Sequence, residues 1–292
     1  MKTATTTANQ VASSLRFDAR FFLDVSHAAQ KRLNKSHWPF TTVAEVFGSE
    51  NIRLPNRFER VPAATLDHGK PILVPYDCFR YVPYSNDILS RSQIRQFSKL
   101  EIERGWMLIV CSGRNLGPTT IVDRFLSRFV LTHDMVRIVS PLTDELFYFA
   151  AFTHTPMGQA IIRRDQHGSV IAHLNAEQVA AIRYPVVDRQ LRTRCIDSFR
   201  KAFELRERAR ESLQSLSAEF IALTEFHGQW HSEADRSRRF TVNRNMIGDR
   251  FDAEPLSPLY QAYARRAEST EHTTIGGVAA VFKPPGRYTS RG

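Results

Sequence analysis

The residues that could do chemistry are scattered along this chain, and no set of them completes a catalytic arrangement. His227 and His231 stand four apart, which would put two imidazoles on one helical face for a metal ion. Gly228 falls between them where a helix should stop, and no carboxylate completes a ligand set. His133-Asp134 and His173 have no serine, cysteine or threonine at a spacing that would make them bases for a nucleophile, so they read as polar residues satisfied within the fold. Asp67-His68-Gly69-Lys70 and Glu101-x-Glu103 supply carboxylates and a lysine, but not the ordered acidic pair with which a nuclease holds metal ions. Neither an Asn-Pro-Pro-Tyr-like stretch nor a G-x-G cofactor loop is present, and Lys283-Pro284-Pro285-Gly286 is a poor imitation, so methyl transfer within this chain is not expected. The turn from Gly113 to Gly117 lacks the G-x-x-x-x-G-K-[ST] pattern of a nucleotide loop. Its glycines permit a tight turn that leaves Arg114 and Asn115 at the tip.

What remains is binding chemistry. Among 292 residues, 40 Lys and Arg face 30 Asp and Glu, a net charge of +10 that suits a polyanion, and arginine forks fit phosphate and guanine. Arg80, Tyr81, Tyr84, Arg91, Arg95, Lys99 and Arg104 lie in one stretch with few acids, which fits a DNA-contacting edge and also a solvated helix face. Arg163, Arg164, Gln166 and His167 precede Gly168-Ser169 and form a second candidate edge. The expected DNA-binding set is Arg80, Tyr84, Arg91, Arg95, Lys99, Arg114, Asn115, Arg163, Arg164 and His167, with no catalytic and no metal-binding residue.

The element that must position these groups is a long helix over residues 188–226. Apolar residues recur at Cys195, Phe199, Ala202, Leu205, Ala209, Leu213, Leu216, Phe220 and Leu223, a narrow seam at helical spacing. Asp188 is placed to cap its start and Gly228 its end. Its other faces carry Arg206, Glu207, Arg208, Arg210 and Glu211, so the seam is expected to lie against another helix. At about 1.5 Å per residue the helix is longer than a duplex turn of roughly 34 Å, which is spacer geometry.

Ahead of it, residues 15–187 read as one α+β domain. A helical stretch at 21–33 is followed by short apolar segments at 41–47, 71–75, 106–111 and 119–123, then by a helical stretch at 145–162. Residues 1–14 read as a flexible lead without an apolar signal core, and no apolar run is long enough to span a bilayer. Three scattered cysteines, Cys78, Cys111 and Cys195, suggest neither disulfides nor a thiolate zinc site and fit a reducing cytoplasm.

The domain opening returns after a polar, arginine-bearing linker at 229–249. Arg16-Phe17-Asp18-Ala19 recurs as Arg250-Phe251-Asp252-Ala253, and Lys31-Arg32 as Arg265-Arg266. Thr41-Thr42 with Val46-Phe47 is echoed by Thr273-Thr274 with Val281-Phe282, and Pro55-x-Arg57-Phe58 by Pro285-x-Arg287-Tyr288. The repeating unit is a domain plus a helix. Residues 250–292 would be the start of a second domain, without most of its core and therefore expected to be poorly ordered.

The same residues resemble the DNA-specificity subunit of type I restriction-modification systems. The resemblance runs through Arg16-Phe17-Asp18-Ala19, Gly69-Lys70-Pro71-Ile72-Leu73, Ser112-Gly113-Arg114-Asn115-Leu116-Gly117 and Ser127 to Ile138. It continues through Pro156-Met157-Gly158-Gln159, Gly168 to Leu174, Tyr184-Pro185 and Gln190. It implies target-recognition domains each followed by a spacer and dimerisation helix at 188–228, with double-stranded DNA, modification subunits and a restriction subunit as partners. S-adenosylmethionine, ATP and Mg would be held by those partners and none by this chain. The early end of the second domain leaves two further readings, a half-subunit that works as a homodimer through the long helix and an inactive truncated form; more distant alternatives are a DNA-modifying enzyme and a protein-binding adaptor.

Overall fold

A computed structural model of the chain describes residues 7–14, 25–85, 87–113, 115–164, 173–223, 241–242, 260–261 and 265. The helices are α1 (Ala8–Ser14), α2 (Val25–Asn34), α3 (Val43–Phe47), α4 (Asp144–Thr153), α5 (Pro156–Ile162), α6 (Ala176–Ala180) and α7 (Arg189–Leu223). The strands are β1 (Phe40–Thr42), β2 (Ile52–Arg53), β3 (Gly69–Leu73), β4 (Ile88–Ser90), β5 (Met107–Val110), β6 (Thr119–Ile121), β7 (Val130–Leu131), β8 (Met135–Ile138) and β9 (Arg183–Pro185). The expected α+β class is the one observed.

The apolar run at 106–111 decides the layering, because β5 is buried along its whole length and needs cover on both faces. It lies inside the antiparallel sheet β2-β8-β5-β6, paired through Met107↔Ile138 and Met107↔Ile121. Met107, Ile109, Val136 and Ile138 face one way, onto Leu146, Phe149 and Ala150 of α4, Leu33 of α2, and Ile196 and Phe203 of α7. Leu108, Val110 and Met135 face the other way, onto Leu73 of β3, Leu131 of β7 and the Phe125–Phe129 ring pair. Those two strands belong to a smaller sheet, β4-β3-β7, with β3 and β7 parallel. Its outer face packs Ile72, Leu89 and Val130 against Ile94, Phe97 and Leu100.

Two segments depart from their sequence reading. The 41–47 stretch is a strand only to Thr42, where it turns into α3. Thr42 Oγ1 accepts from the Glu45 N–H at 3.1 Å and Glu45 Oε2 accepts from the Thr42 N–H at 2.8 Å. This capping box satisfies two otherwise unpaired N–H groups and starts a helix despite the β-branched residues. The 145–162 stretch is broken into α4 and α5, because Thr155 caps a new helix with Pro156 in its first turn and proline cannot extend the old one. A short helix, α1, also stands where the lead was expected.

The chain divides into two compact units, Met1–Ala218 and Glu219–Gly292. Apart from 260–261 and 265, the expectation about residues 250–292 lies outside the described residues, as do the repeated Arg-Phe-Asp-Ala stretches, His227 and His231. Among the described residues no helix is long and apolar enough to cross a membrane.

Candidate nucleic-acid interface

Helix α7 begins where the sequence puts it, with Asp188 Oδ1 accepting from the Leu191 N–H at 2.9 Å. Its 35 residues span about 52 Å at the usual helical rise. The structure shows a second face of the helix in use, one that the seam did not announce. A second stripe, Ile196, Phe203, Glu207 and Arg210, is buried on the chain's own domain. Apolar contact supplies the first half of the stripe, and the second half is built of charge.

Glu207 accepts from Arg104 Nε and Nη2 at 2.8 Å each and from the Arg124 N–H at 2.9 Å. The Arg104 fork holds the Glu207 carboxyl below its ordinary range, and Glu207 in turn raises Arg104. Arg210 donates to Asp123 Oδ2 at 2.6 Å and to the carbonyls of Arg80 and Tyr81 at 3.1 Å each. Arg206 Nε stands 3.3 Å from the same Asp123 oxygen. Its two other nitrogens donate to Thr120 Oγ1 at 2.9 Å and to the Ile121 carbonyl at 2.6 Å, which covers the edge strand β6. Burial lowers the Arg206 pKa, with Asp123 opposing. Asp123 is wholly buried, and its other oxygen accepts from the Leu126 N–H at 2.8 Å. Arg192 to Glu145 and Arg200 to Asp144 add ion pairs at the start of α4.

The predicted seam lies on a different face. Phe199 packs against the main core and, edge-on, against the His154 ring at 4.9 Å, and Ala209 and Leu213 are half-buried. Ala202, Leu205, Leu216 and Phe220 are exposed, and the Leu223 side chain lies outside the described residues. An open groove lined by Ala151, Leu191, Cys195, Phe199 and Ala202 forms the head of the seam.

The expected DNA edge at 80–104 does not form one face. β3 and β4 pair antiparallel with Gly69↔Ser90 and Pro71↔Ile88, so residues 74–85 leave one end of the pair and Arg91 the other. Arg80 and Tyr84 belong to the first group, with the Arg80 guanidinium 4.7 Å above the Tyr84 ring and its Nε 3.2 Å from Asp77. Arg91, Arg95 and Lys99 belong to the second group and are exposed. Arg104 is committed to Glu207.

The other two expected groups come together. Gly113 and Gly117 have φ of 101° and 107°, values that favour glycine, and Asn115 is exposed between them. Arg163 Nε donates to the Leu116 carbonyl at 2.8 Å, so the second edge braces the turn. Arg164 donates to Gln30 Oε1 at 2.7 Å and ties α5 to α2. Both arginines therefore hold the fold together, whereas Asn115 is presented outward. Arg114 and His167 lie outside the described residues.

Sequence reading missed Asp123, Arg206, Glu207 and Arg210 as a unit. The steps of seven, four and three from Ile196 to Arg210 were a second stripe on α7, hidden because half of it is charged. Tyr76 and Phe79 also escaped notice; they are exposed beside Arg80.

No family model and no curated protein matches the sequence. Among solved structures, the HsdS subunit from Thermoanaerobacter tengcongensis is similar over 64% of this chain and 45% of its own, at 12% identity and a TM-score of 0.39. The type I restriction-modification S subunit from M. genitalium is similar over 66% and 44%, at 12% identity and a TM-score of 0.35. A chain from a structure describing assembly and conformational transition of a type I R-M system is similar over 68% and 48%, at 11% identity and a TM-score of 0.36. This chain spans less than half the length of each.

Proposed function

We propose that this chain is a sequence-specific DNA-binding subunit, itself non-catalytic, that directs a type I restriction-modification methyltransferase/endonuclease complex to its site. Residues 15–187 would read one half-site. Helix α7 would dock partner helices and the modification and restriction subunits, which would carry S-adenosylmethionine, ATP and Mg.

The observation that carries this reading is the two-sided helix α7. One stripe is locked on the domain by the Arg104, Asp123, Arg206, Glu207 and Arg210 contacts, while Ala202, Leu205 and Leu216 stay exposed on the other. A helix of about 52 Å, fixed on one side and apolar on the other, sets a distance between a domain and whatever covers the seam. The net charge of +10 and the ordered motifs from Gly69 to Gln190 support a DNA-directed role. The exposed seam also favours a second reading within the same role, in which two copies pair through α7 and read a palindrome.

Co-expression with a modification subunit from the same genome, followed by sequencing of methylated DNA, tests the proposal. A discrete methylated motif is the expected result. A palindrome assigns the paired form and a single half-site the unpaired one. A stable complex that methylates nothing, or no complex at all, rejects the specificity role.

A further inference from the structure

Residues 74–85 concentrate a property that the DNA reading has not absorbed. Val74, Tyr76, Phe79, Tyr81, Val82 and Tyr84 are all exposed there. Elsewhere among the described residues, outside α7 and Tyr260, Leu66 is the remaining exposed large hydrophobic. The three tyrosines stand out most, at 71% for Tyr76, 75% for Tyr81 and 60% for Tyr84.

The segment is nevertheless anchored. Cys78 is buried with its Sγ 3.8 Å from Met135 Sδ, Pro83 is buried, and Arg210 holds the carbonyls of Arg80 and Tyr81. A backbone fixed from beneath with rings left in solvent is a prearranged contact surface, because ordering it on binding costs little. Its flanks carry guanidinium groups, of which Arg80 is paired with Asp77, the acid within the segment, and Arg124 with Glu211. Arg80 lies over Tyr84, and Arg124 and Arg128 from the neighbouring loop reach Glu211 and Gln214 of α7, near Arg210.

We propose that this segment is a base-stacking element, with Tyr76, Tyr81 and Tyr84 stacking on bases of DNA that has been opened or distorted. The inference rests on the DNA-binding reading and adds a mode of contact to it. Ring faces bordered by guanidinium groups are the surface that unpaired bases take, since every base has a π-face and the strand's phosphates need cations close by. A tyrosine offers one hydroxyl for reading base edges in a groove but a whole ring for stacking.

The test uses the full chain with a short fluorescein-labelled single strand, the same strand carrying 2-aminopurine, and a duplex of the same sequence, at low salt. The single strand should bind measurably and 2-aminopurine fluorescence should fall on binding. Tyr81→Leu with Tyr84→Leu should weaken single-strand binding by roughly ten-fold or more. Tyr81→Phe with Tyr84→Phe should keep the affinity, and the exposed positions should leave the melting temperature of all variants unchanged. If the leucine variants bind the single strand like the parent, the stacking role is overturned and the rings belong to a protein contact. Duplex binding that persists in that case leaves the DNA-binding reading standing, whereas no binding to either probe overturns both.

Discussion

Arg210→Met should be among the most damaging single changes on α7. Arg210 is 3% exposed and its guanidinium serves three acceptors: Asp123 Oδ2 at 2.6 Å and the carbonyls of Arg80 and Tyr81 at 3.1 Å each. Methionine fills much of the stem volume but donates nothing. Asp123 would stay wholly buried with Arg206 Nε at 3.3 Å as its remaining cation. Removing one partner of a buried pair costs about 3–5 kcal/mol, because the other charge stays desolvated. The two carbonyls add to this to the extent that water cannot reach them. For a unit of this size that corresponds to a fall in Tm on the order of 10 °C. Urea unfolding followed by circular dichroism measures the loss. Asp123→Asn should be costly too, since it leaves Arg206 and Arg210 without a carboxylate between them. The double variant should cost less than the sum of the two by on the order of 2 kcal/mol. Strict additivity, or a loss below about 1 kcal/mol for Arg210→Met, would refute the view that this pair clamps the helix.

Further outcomes follow from the same contacts. Glu207 has a folded pKa below its ordinary value of 4.5, so its contribution to stability is complete above that value and is lost as pH falls through the lowered one; Glu207→Gln should flatten the dependence of the urea midpoint on pH below about 4.5. Burial pushes the thiols of Cys78 and Cys111 up to about 12, whereas Cys195 lines the open groove, so iodoacetamide should label Cys195 first in the native protein, as read by peptide mass mapping. Gly117→Ala combines a φ of 107° with a new Cβ 3.0 Å from Arg163 Nε, while Gly113→Ala at 101° meets nothing within 4 Å. Both should destabilise by about 1–2 kcal/mol from backbone strain, with the larger loss at Gly117 by thermal melting. A seam change, Leu216→Glu, should leave Tm unchanged and abolish association through α7 in analytical ultracentrifugation.

Much of the fold was legible because it rests on local rules. The strand at 107–110 follows from a continuous apolar run and that at 119–121 from a β-branched one, each bounded by turn-formers, and the start of α7 from Asp188 and uninterrupted helical spacing. The capping box at Thr42 and Glu45 was equally local, yet it lost to the β-branched look of the segment. The candidate site was legible only in part. Charge and turn position pointed to Arg80, Tyr84 and Asn115, which are presented outward or stacked in a loop. The same criteria pointed to Arg163 and Arg164, whose guanidinium groups brace the Leu116 carbonyl and Gln30. A side chain's formal charge does not say whether its partner is a phosphate or a carbonyl of its own chain.

The sequence by itself determined that the chain has one long helix starting at Asp188 with a narrow apolar seam, a core-forming α+β domain ahead of it and a surplus of positive charge. Periodicity, capping and composition act between near neighbours or over the whole chain, so they survive without coordinates. Only the tertiary structure decided which face of the helix its own domain takes, that Arg80 and Arg91 leave opposite ends of a strand pair, and that Asp123 lies buried beneath Arg206 and Arg210. Those outcomes turn on pairs such as Arg104 with Glu207, 103 positions apart, where two charges become worth burying only once the fold has brought them within hydrogen-bonding reach.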